Sequence, residues 1–240
     1  MCLCSFCFFA YRIYNYVEEE KEQKNLNDRM IDVAVKKVEQ NDYKDDENEK
    51  KANLPIEVDF NALKNKNKDI IAWIYSEGTP INYPIVQSKD NDYYLRRLID
   101  GTYNQAGTLF MDYKNSSDFH DYNTIIYGHN MKNDSMFGTL TNYEKQDYYN
   151  EHREMVLFTE DKNYKIELFA GYTTSSESDI YTYPKTSSSN EKIINNALKK
   201  STFDSDVKVL SEDKIIILST CSYSFENARY VLLGVLKEIE

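Results

Sequence analysis

The sequence predicts a mostly β fold with added helices: a β-barrel or an open sheet, led by a helical segment and carrying a helix before its last cysteine. Three observations predict it. Short apolar runs rich in Ile, Val, Tyr and Phe recur along the chain, bounded by turn residues. Helix-period segments stand singly between them rather than in strict alternation. The texture also changes near residue 54, where a charge-dominated stretch gives way to these runs. Three segments follow: 1–17, 18–53 and a main domain at 54–240.

Residues 1–17 are apolar and aromatic up to Arg12. A spanning helix needs about 20 apolar residues, so the segment is short for one. It lacks the basic start and small-residue cleavage site of a secretory signal. It reads either as the distal part of a membrane anchor that begins upstream, the favoured expectation, or as an interfacial or core-packed piece. Residues 18–53 are charged, but Leu26, Met30, Ala34 and Val38 recur at four-residue steps, the stripe of a helix packing lightly on the main domain. The charge run 42–51 reads as a linker or helix end.

In the main domain, Asp59 can cap a short helix at 60–66. A strand at 70–75 turns at Gly78-Thr79-Pro80 into another at 81–86, which Pro84 places at an edge or a bulge. A short helix is expected at 90–98 and strands at 108–111 and 123–127. A helix is expected at 136–150, then a hairpin of 155–158 with 164–172 and a loop at 173–189. A helix at 190–200 and strands at 207–210, 214–220 and 229–236 complete the chain.

The net charge is −11, with 29 Lys and Arg against 40 Asp and Glu, which argues against a general nucleic-acid binder. Cys2, Cys4 and Cys7 crowd the start, and Cys221 stands alone in the main domain, so neither a disulfide scaffold nor a four-ligand zinc module is indicated. No Gly-rich phosphate loop, HExxH or EF-hand pattern occurs, and no metal or cofactor is expected.

Cys221 ends the run Ile215-Ile216-Ile217-Leu218-Ser219-Thr220. It is either a buried structural cysteine or a nucleophile held at a strand end, with hydroxyls beside it from Ser219 and Thr220. His129 follows the strand 123–127 and Gly128, whose lack of a side chain permits a sharp turn and close approach. It is either a satisfied structural histidine or a proton carrier. His120 and His152 sit in polar surroundings and read as surface residues. Arg229 opens the strand after Cys221. It is either an edge charge or a guanidinium placed to stabilise an oxyanion or hold a substrate backbone.

Tyr127-Gly128-His129-Asn130-Met131, Leu218-Ser219-Thr220-Cys221-Ser222 and Arg229, in this order, resemble the sortase family. The stretch 81–87, Asp90 to Leu95, Gly107 to Asp112, and the helix before the cysteine strand resemble its class B. The resemblance covers roughly residues 55–240. It departs at Ser222, where class B often has an acidic residue. It implies an eight-stranded barrel with added helices and no metal requirement. It also implies an extracellular cysteine transpeptidase held on the cell membrane by its N-terminus.

By the same resemblance, the substrate is a secreted protein with a C-terminal NPQTN-like or NPxTG-like sorting signal. Cys221 would form a thioester after the threonine, His129 would shuttle the proton, and Arg229 would stabilise the oxyanion. A peptidoglycan-precursor amine would then resolve the thioester. Asn91, Leu95, Tyr127 and Ser219 would line the peptide groove. A purely hydrolytic cysteine peptidase and a non-catalytic wall-binding module are the alternatives. Papain-like and NlpC-like peptidases carry Cys before His, the reverse of the order here. Ordinary thiol and imidazole pKa values leave both groups mostly neutral at pH 7, so only a minority of molecules would hold the reactive thiolate–imidazolium pair.

Overall fold

The computed structural model describes residues 2–38 and 54–239. Ten strands and four α-helices occur among them: α1 (Cys2–Ala34), β1 (Val35–Lys37), β2 (Ile56–Val58), α2 (Phe60–Lys66), β3 (Ile70–Tyr75), β4 (Asn82–Val86), β5 (Leu109–Met111), β6 (Asn123–Tyr127), α3 (Gln146–Glu151), β7 (Glu154–Thr159), β8 (Asn163–Ser175), α4 (Ser187–Lys200), β9 (Ile215–Cys221) and β10 (Ala228–Ile239). Eight strands close into a barrel in the order β10-β8-β7-β3-β4-β5-β6-β9, so the barrel leaves no edge strand. Two neighbour pairs, β4 with β5 and β6 with β9, run parallel.

Three apolar layers explain why several strands read as unbroken hydrophobic runs. Along β9, Ile216 and Leu218 join the barrel interior with Tyr230 and Leu232. Ile215 and Ile217 point outward with Val231 and Leu233, under the Ile193–Ile194–Ala197 face of α4. On another outer face, Met30 and Ala34 of α1 and Leu63 of α2 cover Ile70 and Trp73. Strands covered on both faces therefore lose the polar half of their alternation.

α1 runs unbroken through the boundary expected near residue 17, and its packing is more than light. Gln23, Met30 and Ala34 are buried. The Asn27 side chain donates to the Asn82 carbonyl at 3.2 Å, and Asn104 donates to the Glu19 carbonyl at 2.8 Å. The helix ends at Ala34, where the chain turns extended and pairs β1 with β2, so Val38 of the stripe lies beyond it and is exposed. The charge run 42–51 falls outside the described residues. No helix among the described residues is long and apolar enough to cross a membrane.

Other expectations are corrected. The helix expected at 90–98 is a 3-10 turn at Tyr94–Arg96, because Arg97 turns extended and pairs with Tyr103 in an antiparallel bridge. The helix expected at 136–150 splits into a 3-10 segment at Gly138–Glu144 and α3, with Lys145 extended between them. The strand expected at 207–210 is absent, since β9 is already paired on both sides, by β6 and β10. Val207 and Val209 pack against the α4 layer instead. The expected loop 173–189 begins as the end of β8, carries a 3-10 turn at Asp179–Tyr181, and enters α4 at Ser187. Pro84 lies in no edge strand. It pairs with Trp73 one residue before β4 joins β5, near a register shift in β3, where its missing N–H is tolerated.

Candidate active site

Period-2 alternation carries the outer-face pattern to the strand ends. Beyond Ile215 and Ile217 come Ser219 and Cys221, and beyond Ile125 comes Tyr127, with His129 two residues further. Before Val231 comes Arg229. The parallel pair β6–β9 sets Tyr127 opposite Ser219, and the antiparallel pair β9–β10 sets Arg229 opposite Cys221. All these ends meet at one rim. There a cleft of about 280 Å³ is lined by His129, Cys221, Arg229, Asn91, Leu95, Tyr127, Ser219 and Thr220. The three expected reacting residues and the expected groove residues are thus brought to one cavity. Gly128, flagged from the sequence as permitting close approach, also lines it with Phe110, Ser176 and Tyr181; Ser176 and Tyr181 carried no sequence signal of that role.

His129 is half-buried. Its Nε2 lies 2.6 Å from the Leu95 carbonyl oxygen. A carbonyl only accepts, so the neutral ring carries its hydrogen on Nε2 and leaves Nδ1 as the basic atom. Burial lowers the His129 pKa. The Leu95 carbonyl opposes this, and the positive charges of Arg96 and Arg229 add to the lowering. The site therefore favours neutral imidazole.

Gly128 is demanded by packing rather than by a turn. A Cβ there would lie 2.4 Å from Leu109 Cδ2 and 2.6 Å from Phe137 Cδ2. The Gly128 amide donates to the Ser219 carbonyl at 3.1 Å, and the Phe137 amide donates to the His129 carbonyl at 3.0 Å. Asn130 ties the same loop to β9, its Nδ2 donating to the Cys221 carbonyl at 2.8 Å. The imidazole and the thiol are thereby held from one short segment.

Cys221 is a free, partly exposed thiol. Thr220 points toward the barrel side and its buried Oγ1 has no protein partner. Ser219 Oγ pairs with the Tyr181 hydroxyl at 2.8 Å, and Tyr181 stacks on Tyr127 with ring centroids 6.2 Å apart. Thr186 closes the loop that carries Ser176 and Tyr181 by forming a capping box with Ser189 at the start of α4. Arg229 donates from Nη1 to the Ala228 carbonyl at 3.0 Å. None of the ion pairs among the described residues involves Arg229, which leaves guanidinium donors for a ligand. Ser222 Oγ lies 2.9 Å from Ser224 Oγ in the exposed turn between β9 and β10.

The other histidines lie apart from this cleft. His120 is exposed and faces Asp118 at 3.0 Å. His152 is less of a surface residue than its charged neighbours suggest: it stacks on Tyr148 with centroids 4.3 Å apart and bonds back to the Tyr148 carbonyl.

Residues 74–237 match the family model described as the sortase domain. The chain is 35% identical over 237 residues to a sortase B of Listeria monocytogenes, covering 96% of this chain and 92% of that one. A crystal structure of sortase B from B. anthracis superposes with a TM-score of 0.78 at 32% identity, over 92% of this chain and 99% of that one. The Staphylococcus aureus sortase B–substrate complex gives a TM-score of 0.72 at 31% identity, over 75% of this chain and 85% of that one.

Proposed function

Because the chain belongs to the sortase family and is a cysteine transpeptidase of the sortase B type, we propose that Cys221, His129 and Arg229 cleave a C-terminal sorting peptide after its threonine and pass the acyl group to a cell-wall amine. The observation that carries this is the convergence of a free thiol, an imidazole with one basic nitrogen and an unpaired guanidinium on one cleft, at the ends of adjacent strands.

The reaction starts when the Cys221 thiol gives its proton to His129 Nδ1 and its sulfur attacks the carbonyl carbon. The C=O π electrons move onto oxygen, where the Arg229 guanidinium donates to the developing charge. The intermediate collapses, the C–N bond breaks, and His129 Nδ1 returns the proton to the leaving amine. A thioester to Cys221 remains. An incoming primary amine attacks it, His129 Nδ1 takes the amine proton, the C–S bond breaks, and the sulfur is reprotonated. Water in place of the amine gives hydrolysis. A sortase B has been crystallised in complex with triglycine, which supports a glycine-type amine as acceptor here. NPQTN-like or NPxTG-like signals on secreted proteins are the proposed donors. The proposed location is the outer face of the cell membrane. It is supported by the exposed Phe8, Phe9, Tyr11, Ile13 and Tyr14 of α1, suited to a membrane interface.

The test incubates the full chain with fluorogenic NPQTN and NPxTG peptides, with and without triglycine, beside Cys221→Ala. Cleavage by the native chain, a new amide product with triglycine, and silence of the alanine variant are expected. Cleavage that survives in Cys221→Ala would overturn the assignment of the nucleophile.

A further inference from the structure

We propose that Asp112, a buried carboxylate outside the reacting trio, is a positioning residue that fixes the hydrogen-bonding polarity of the peptide groove. This deepens the reading above and rests on it. Asp112 follows β5 directly and is only 2% exposed. None of the ion pairs among the described residues involves it. A buried carboxylate without a cation must be satisfied by hydrogen-bond donors.

Oδ1 accepts the Lys114 amide at 2.9 Å. Oδ2 accepts from Asn91 Nδ2 at 2.9 Å and from the Tyr127 hydroxyl at 3.0 Å. Tyr183 feels the same carboxylate: its phenol pKa is raised by burial first and then by Asp112.

The consequence lies in what Asn91 and Tyr127 have left to offer. Asn91 Oδ1 already accepts the Tyr113 amide at 3.0 Å. With one Nδ2 hydrogen on Asp112, the amide cannot flip, and the second Nδ2 hydrogen is its remaining donor. Tyr127 spends its only hydrogen on Asp112 and keeps its oxygen as an acceptor. Both residues line the cleft. Asp112 therefore makes Asn91 a donor and Tyr127 an acceptor toward a bound peptide, a pairing complementary to the C=O and N–H of an amide group. A protonated or amidated residue at 112 would scramble both.

Two variants test this: Asp112→Asn, and the double exchange Asn91→Asp/Asp112→Asn, in which the 91–112 hydrogen bond re-forms with reversed polarity. For Asp112→Asn, KM for the sorting peptide should rise about five- to tenfold, the loss of one net hydrogen bond. Alkylation of Cys221 by a small thiol reagent should keep its rate, since the reacting trio is untouched. The double exchange should regain the melting temperature and keep the raised KM. A KM within threefold of the native value in Asp112→Asn, or recovery of KM together with melting temperature in the double exchange, would overturn the proposal. A native chain that cleaves no sorting peptide would instead overturn the function on which it rests. The side-chain amide resonances of Asn91 decide the geometry independently of turnover. One hydrogen should be protected from exchange in the native chain and neither in Asp112→Asn. Two fast-exchanging hydrogens in the native chain would overturn it.

Discussion

Replacing Gly128 by alanine should damage both the fold and the chemistry, and the size of the damage can be worked from packing. The new Cβ would lie 2.4 Å from Leu109 Cδ2, and 2.6 and 2.8 Å from Cδ2 and Cγ of Phe137. Carbon atoms rest at about 3.5–4.0 Å, so both neighbours must retreat by about 1 Å. Neither has room, since Leu109 and Phe137 are fully buried in the barrel interior. Overpacking of this kind costs about 1–3 kcal/mol. Gly128 has no left-handed φ, so alanine recovers about 0.4–1 kcal/mol through the unfolded chain. Mid-range values, ~2 less ~0.7, leave a net loss of about 1.3 kcal/mol, which corresponds to a melting temperature lower by about 3–5 °C for a domain of this size. The retreat of Phe137 also pulls on His129 through the bond from the Phe137 amide to the His129 carbonyl. Peptide turnover should therefore fall by about tenfold or more, as expected for a misplacement near 1 Å. The assay is thermal melting by circular dichroism beside steady-state cleavage. Phe137→Leu added to Gly128→Ala should restore part of both losses, a coupling that a double-mutant cycle reads directly. A Gly128→Ala chain that melts within ~1 °C of the native one and keeps its turnover would refute the reasoning, as would strict additivity with Phe137→Leu.

Three further outcomes follow from the site. The acid limb of kcat/KM should bend below pH 6.5, because burial lowers the His129 pKa. Arg96→Gln removes a neighbouring positive charge, so it should move that limb upward and raise the plateau by enlarging the imidazolium fraction; a pH–rate series checks both. Arg229→Ala should cut kcat by about 10²–10³ with a smaller change in KM, and Arg229→Lys should recover only part of it, since the charge returns without the planar fork. Asn130→Ala removes the donor on the Cys221 carbonyl; it should destabilise by about 1 kcal/mol and slow thioester formation, measured by rapid-quench mass spectrometry.

Much of the barrel was legible because its strands are covered on both faces and so stand out as apolar runs. The same coverage explains an error. Val207 and Val209 show strand spacing, yet the alternation serves packing beneath α4, with no free strand edge to pair. Sequence cannot show which edges are already taken. The expected helices at 90–98 and 136–150 failed for local reasons. Arg97 turns extended to bridge Tyr103 in the first, and in the second the extended backbone at Lys145 separates the 3-10 segment from α3. The proposed reacting residues were legible because each lies at or within two residues of a strand end. Tyr181 and Ser176 were not, since they reach the cleft from a loop whose path depends on where α4 docks. Asp112 was quoted only as the end of a motif. Its burial depends on Asn91 and Tyr127, which are 21 and 15 residues away.

The chain order His129, Cys221, Arg229 is itself a product of topology. β6 and β9 are parallel neighbours, so both C-terminal ends reach the same rim without a tight connection between them. Parallel strands require a long crossover, and residues 128–214 supply it, carrying β7, β8 and α4 on the way. β10 returns antiparallel from a short turn, so its first residues arrive at that same rim, opposite Cys221. A thiol placed on β6 and an imidazole on β9 would occupy similar positions, but they would exchange their supports. In the observed arrangement the imidazole sits on the segment fixed by Gly128, Phe137 and the Leu95 carbonyl. The thiol sits at the mouth of a hairpin whose other side delivers the guanidinium. Under the proposed mechanism, attack and oxyanion stabilisation would come from one hairpin, and proton transfer from the segment that follows the adjacent strand. Moving Arg229 one place along β10 would turn its side chain to the barrel interior, because alternate residues face opposite sides. An Ala228→Arg/Arg229→Ala exchange should consequently lose activity as fully as Arg229→Ala while also forcing a charge against the buried layer of Tyr230 and Leu232. Retention of turnover in that exchange would mean that charge near the thiol suffices and that the register does not matter.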